Sequence, residues 1–159
     1  MLKNLTQVIS LFSILVVFTN CSKDCKLKPV SKEDGQMTSY ASANNMTVVK
    51  HSSGMYYQII DPGYGVSPTI NSRISITYTG KFLNNVTFDE QLSPNNTTTR
   101  PAWLLDGLIE GWKLGIPLIG KGGRIKLIVP SSLAYGCEDY YDIPGNSVLF
   151  FDVTLVDVQ

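Results

Sequence analysis

Two apolar runs near the C-terminus constrain the fold more than any other feature: I-K-L-I-V from Ile125 to Val129, and V-L-F-F-D-V-T-L-V from Val148 to Val156. Both have strand length and are rich in β-branched and aromatic residues, so both read as buried strands. Just upstream, W-L-L-D-G-L-I-E-G-W carries Leu108, Ile109 and Trp112 at i, i+1 and i+4, one face of a short helix. Between the strands lies a long loop containing L-A-Y-G and I-P-G-N-S. Helix, strands and loop would bring their aromatic and aliphatic groups around one concavity. Large apolar side chains are mostly interior, so a packed core is the default reading for each aromatic in this set.

The middle of the chain supplies the partners. G-M-Y-Y-Q-I-I alternates Tyr56, Gln58 and Ile60 against Tyr57 and Ile59, and D-P-G-Y-G then breaks it. Arg73 to Thr79 alternates again, with Ile74, Ile76 and Tyr78 on one face. Asn84-Asn85 reads as a hairpin turn, since Asn tolerates positive φ, and Val86 to Asp89 as the returning strand. Glu90 to Arg100 reads as a polar loop, Ala102 to Leu104 as a short strand, and Asp106 as the N-cap of a helix over Leu108 to Leu114. The pattern predicts an α+β domain over residues 51–159, a mainly antiparallel sheet with one short helix.

Residues 1–20 carry a positive Lys3 and an apolar run from Val8 to Phe18, too short to span a bilayer and suited to a signal peptide. Cys21 follows directly and resembles the lipidated Cys of a bacterial lipobox, with Phe18 and Asn20 as departures from the usual residues. Acylation there would anchor the chain to a membrane without spanning it, as an envelope lipoprotein facing the periplasm or held at the outer membrane. Residues 21–50, mixed and polar, read as the anchor followed by a flexible tether, with a short helix around Met37 to Ala43 as an option. A Cys25–Cys137 disulfide is conceivable after export, but Cys25 falls in the tether, and that position argues against it.

Net charge is zero and charged residues are 16%, which leaves no basic footprint for nucleic acid. One His and three Cys make no cluster with metal-ligand spacing, so no metal is expected. The N-glycosylation matches at Asn45, Asn85 and the Asn95/Asn96 pair read as accidental in a bacterial lipoprotein.

Taken in order, Y-T-G (Tyr78 to Gly80), F-D (Phe88, Asp89), L-I-E-G-W (Leu108 to Trp112), L-A-Y-G (Leu133 to Gly136) and I-P-G-N-S-V-L-F-F-D-V resemble the FKBP-type peptidyl-prolyl isomerases. Each motif is weak alone; five in one order over roughly His51 to Val158 are specific. The lead-in G-M-Y-Y-Q-I-I-D-P-G-Y-G looks like that of bacterial periplasmic members, without the dimerisation helices some of them carry, and a monomer is expected. The resemblance implies a five- to six-stranded antiparallel half-barrel wrapped around one short helix, with a proline ring held between helix and sheet. Trp112 would be the floor and Tyr78, Phe88, Ile109, Phe151 and Leu108 the walls, with Trp103 shared between core and cleft. Asp89 would organise the polar edge. Tyr135 would donate its hydroxyl to a substrate carbonyl, and the Ile143 backbone N–H would contact the carbonyl preceding proline.

The implied activity is peptidyl-prolyl cis-trans isomerisation of proline-containing, exported polypeptides, with macrolides as possible inhibitors and no cofactor. Such a reaction makes and breaks no covalent bond; its barrier of about 18–20 kcal/mol is lost amide resonance. It calls for a dry apolar pocket and a few positioned donors rather than a nucleophile, base or metal. The same composition would also describe a catalytically weak FKBP-like peptide-binding or chaperone module. Three departures from the family favour that alternative: Pro101 where an aromatic is usual, no clear counterpart of the Arg that often pairs with the F-D aspartate, and the acidic, tyrosine-rich stretch Cys137 to Asp142.

Overall fold

The computed structural model describes residues 25–159, so the expected signal peptide and the lipidation of Cys21 lie outside the described residues. The elements are α1 (Val30–Ala43), β1 (Val49–Lys50), β2 (Tyr56–Asp61), β3 (Arg73–Phe82), β4 (Thr87–Gln91), β5 (Trp103–Leu104), α2 (Glu110–Gly115), β6 (Arg124–Val129) and β7 (Leu149–Val158). One antiparallel sheet runs in the order β1-β2-β6-β7-β3-β4, with β5 also pairing with β3. The half-barrel is therefore open, and with the two-residue strands β1 and β5 it has seven strands against the five to six expected. Asn85 takes φ 66° at the β3–β4 turn, as the Asn pair implied.

The sheet carries a core on each face. On the concave face, α2 covers Ile74, Ile76, Leu127, Val129, Leu149, Phe151 and Val153. On the other face, α1 brings Met37, Tyr40 and Ala41 against Tyr56, Ile128, Val148 and Phe150. This two-sided cover explains why Leu149, Phe150 and Phe151 are all buried in succession: neighbouring side chains point to opposite faces, and both faces are dry.

The expected flexible tether is thus folded from Val30 onward, and the unit extends well upstream of residue 51. Its helix is 14 residues long and starts at Val30, ahead of the short helix around Met37 to Ala43 that the sequence offered. Cys25 is bonded to Cys137, with Cα atoms 5.3 Å apart, contrary to the expectation from its sequence position. Packing of α1 across the sheet brings the two thiols together over 112 positions of sequence, and local composition carries no trace of that contact.

The helix facing the cleft also starts later than expected. Asp106 sits in a 3-10 turn, Leu105–Gly107, and makes no cap; Ile109 is the N-cap position, and α2 begins at Glu110. Leu108 and Ile109 are extended, so their proximity to Trp112 comes from the entry to the helix and not from a shared helical face. Gly111 lets α2 lie close on β6: a Cβ there would fall 2.4 Å from a Val129 methyl.

Candidate active site

The concave face of the sheet, the β5 segment and the entry to α2 enclose a cleft of about 480 Å³. Its lining includes Tyr78, Asp89, Trp103, Leu108, Ile109, Trp112, Tyr135 and Phe151, each a residue singled out from the sequence. Trp112 is the buried floor. Its indole meets Tyr78 edge to face at 4.9 Å between ring centroids and Phe151 at 5.2 Å, both favourable aromatic geometries. Trp103 adds a wall 6.3 Å from Tyr78. The indole Nε1 of Trp112 has no hydrogen-bond partner among the described residues.

Phe88 stands behind this wall rather than on the lining. Its ring packs edge to face on Phe151 at 5.8 Å and against Phe82 at 5.1 Å. Gly80 makes the arrangement possible. It pairs with Asp89 on β4 and Phe151 on β7, and a Cβ there would lie 2.8 Å from Phe88. Ile143 is expected to offer its backbone N–H to the cleft. Its side chain is buried in the core, and its backbone N–H donates to the Tyr140 carbonyl at 2.9 Å, so that donor is already engaged within the loop.

The polar edge is built from phenols and a carboxylate. The Tyr78 hydroxyl donates to Asp89 Oδ2. Burial, reinforced by that carboxylate, pushes the Tyr78 phenol far above its ordinary value. Burial likewise raises Tyr135, with smaller contributions from Tyr140 and Asp89. Both phenols are therefore protonated at neutral pH; the Tyr78 proton is committed to Asp89, which leaves the Tyr135 hydroxyl as the donor facing the cleft. Tyr135 is stacked on Tyr140, 4.3 Å apart and 13° from parallel, so the loop rich in tyrosines forms one rim.

Two residues that shape the cleft were not legible in the sequence. Arg73, first residue of β3, lines the cleft and donates from its guanidinium to the Ala102 carbonyl at 3.0 Å. Asn95, inside the expected polar loop, is 1% exposed and completes the edge of β3. Its Oδ1 accepts from the Ile76 N–H at 2.8 Å, and its Nδ2 donates to the Ile74 and Pro101 carbonyls. Arg73 and Asn95 thus pin the segment carrying Pro101, Ala102 and Trp103. The only prior signal at Asn95 was a glycosylation pattern, which its burial makes meaningless in the folded chain.

The lining can hold an apolar ring and offer the Tyr135 hydroxyl as a donor to a flanking carbonyl. None of the lining residues is a Ser, Cys or His. Among the described residues, no group of three or more His, Cys, Asp or Glu is placed to hold a metal ion.

Comparison with known proteins agrees with this geometry. FkpA of Escherichia coli strain K12, an FKBP-type peptidyl-prolyl cis-trans isomerase, is 37% identical over 117 residues, 74% of this chain and 42% of that protein. FkpA of Buchnera aphidicola (Acyrthosiphon pisum strain) is 41% identical over 112 residues, 70% of this chain and 45% of that one. The chain thus spans about half the length of these relatives. The crystal structure of FkpA from Escherichia coli superposes with a TM-score of 0.68 at 32% identity, over 82% of this chain and 62% of that one. The crystal structure of AtFKBP13 gives 0.62 at 27% identity, over 70% and 98%. Residues 65–156 match the FKBP-type peptidyl-prolyl cis-trans isomerase family as a whole, and with more than half of its length in that match the chain belongs to this family.

Proposed function

We propose that this protein catalyses cis-trans rotation of X-Pro bonds in exported polypeptides. The observation that carries the reading is the edge-to-face floor of Trp112 with Tyr78 and Phe151, set under a rim that holds the Tyr135 hydroxyl. A proline ring seated on Trp112 leaves water. Desolvation there favours the twisted imide, which has lost amide charge separation, over the planar one. Tyr135 donates to a carbonyl beside the turning bond. Asp89 holds the Tyr78 hydroxyl and so keeps that ring upright as a wall. Leu108, Ile109 and Trp103 contact the residues around proline. Macrolides that fill such a cleft are expected inhibitors.

Residues 1–20 serve as a signal peptide in this reading, and Cys21 carries a lipid anchor in the cell envelope. Since Cys25 is tied to Cys137 by the disulfide, four residue steps separate the anchor from that attachment point, a reach of at most about 14 Å. The domain would then ride close to the membrane surface rather than on a long tether.

A second reading is a peptide-holding module with weak turnover, favoured by the presence of Pro101 on the lining where the family usually has an aromatic ring. Exchange NMR on residues 22–159 with a Leu-Pro peptide separates the two. Acceleration that is lost in a folded Asp89→Ala variant supports the isomerase. Peptide binding with no acceleration supports the holding module instead.

A further inference from the structure

Glu33 is the one acidic side chain among the described residues that is completely buried, and the cleft chemistry does not use it. A buried carboxylate is costly unless it is fully hydrogen-bonded. Here both oxygens accept from a single residue: Oε2 from the Ser131 backbone N–H at 2.9 Å and Oε1 from the Ser131 hydroxyl at 2.7 Å. Ser131 is equally buried, and its own carbonyl accepts from two N–H groups, Ala134 at 3.1 Å and Gly136 at 2.9 Å. Those two residues flank Tyr135. A continuous chain of hydrogen bonds therefore runs from α1, on the far face of the sheet, to the turn that presents the rim phenol.

The same turn is held from its other side by the same N-terminal segment. Cys25 is bonded to Cys137, two positions after Tyr135. The Gly136 carbonyl accepts from Asn146 N–H at 2.7 Å, and Asn146 Oδ1 accepts from Lys28 N–H at 3.2 Å. A segment with no purpose beyond covering the apolar face of the sheet would need neither a buried carboxylate nor these attachments to one loop.

Resting on the isomerase reading above, we propose that Glu33 is a positioning residue for Tyr135, and that residues 25–43 are a working part of the active site. Glu33 fixes the Ser131 turn, the turn fixes the direction of the Tyr135 hydroxyl, and the Cys25–Cys137 bridge limits how far the turn can open.

The test is a double-mutant cycle on residues 22–159, oxidised, at a temperature where circular dichroism shows every variant folded. Isomerisation is read by exchange NMR with a Leu-Pro peptide, for Glu33→Ala, Tyr135→Phe and the pair. Each single change is expected to lower kcat about fivefold to tenfold, with KM within about twofold, as expected when a reacting geometry loosens. The pair should be no slower than the worse single change, within about twofold, because both remove one function. Glu33→Gln keeps an acceptor for the Ser131 N–H and offers its amide to the Ser131 hydroxyl, so it should restore most of the rate. Multiplicative losses in the pair, or an unchanged kcat in Glu33→Ala, would overturn the proposal, since a merely stabilising contact behaves in that way. If Glu33→Ala does not fold, Ser131→Ala and the Cys25→Ser/Cys137→Ser double variant enter the same cycle with the same expectation. If the wild type binds peptide without accelerating it, the isomerase reading fails separately, and peptide Kd takes the place of kcat. Non-additive loss of affinity then supports the link from Glu33 to Tyr135, and additive loss overturns it.

Discussion

The Tyr78 hydroxyl donates to the Asp89 carboxylate across the β3–β4 pair, so a cleft wall and the cleft edge are one hydrogen-bonded unit. The register explains why: Gly80 lies opposite Asp89, and Tyr78 sits two residues away on the same face of β3. Removing either partner leaves the other short of a hydrogen bond to a charged or buried group, worth about 1.5–3 kcal/mol. We expect Asp89→Ala and Tyr78→Phe each to lower kcat/KM by roughly tenfold or more, and the pair to lose less than the product of the two. Exchange NMR on the four proteins checks this; fully multiplicative losses would show that the two residues act independently.

Gly111 sets the height of the cleft floor. A Cβ at this position would meet the Val129 side chain at 2.4 Å, so Gly111→Ala must push α2, and Trp112 with it, away from β6. Overpacking of this kind costs about 1–3 kcal/mol, against about 1 kcal/mol gained in helix propensity. The expected result is a net loss of stability in urea unfolding and weaker peptide binding, with part of the binding restored in Gly111→Ala/Val129→Ala. Unchanged affinity in Gly111→Ala would mean that the floor does not depend on this contact.

Asn95→Ala should destabilise the protein by about 1–3 kcal/mol, because the Ile76 N–H and the Ile74 and Pro101 carbonyls lose buried partners. It should also loosen the segment that carries Trp103. Urea unfolding, with hydrogen exchange at the Ile76 amide, measures both effects. A stability within a few tenths of a kcal/mol of wild type would refute the structural role assigned to this side chain.

Alkaline pH provides a check on the two phenols. Both have folded values raised above the unfolded value of about 10, chiefly by burial. Their contribution to stability is therefore fully present below about pH 10 and is lost as pH rises through the folded values, because the unfolded state releases its protons first. Between pH 9 and roughly 11.5 the wild type should lose more stability than Tyr78→Phe or Tyr135→Phe. Equal slopes for the three proteins would mean that these hydroxyls are not desolvated in the folded state.

Much of the cleft lining could be read before any fold was known, since most of it lies on short motifs whose backbone state is local. Tyr78, Asp89, Trp112 and Phe151 are on strands and a helix with clear periodicity, and those elements face one concavity. Ile143 shows the limit of such reading. A backbone N–H has no side-chain signature, and whether it faces a ligand or the Tyr140 carbonyl depends on the loop's own turn. Arg73 and Asn95 escaped for a related reason: their partners are main-chain carbonyls and amides distant in sequence.

Alternation, turn residues and the run of apolar strands determined by themselves that this chain forms an antiparallel sheet around a short helix, because those patterns reflect the two-residue and 3.6-residue periods of the backbone. The order of its motifs determined the family. Only the tertiary structure decided that the N-terminal segment is part of the folded unit. The mixed, polar composition of residues 25–50 resembles a spacer, and α1 is held in place by contacts that span about a hundred positions: Met37 and Tyr40 on the far face of β6 and β7, Glu33 on Ser131, Cys25 on Cys137. The sign of that missing layer lay in L-F-F at the start of β7, where three successive buried residues require cover on both faces of the sheet.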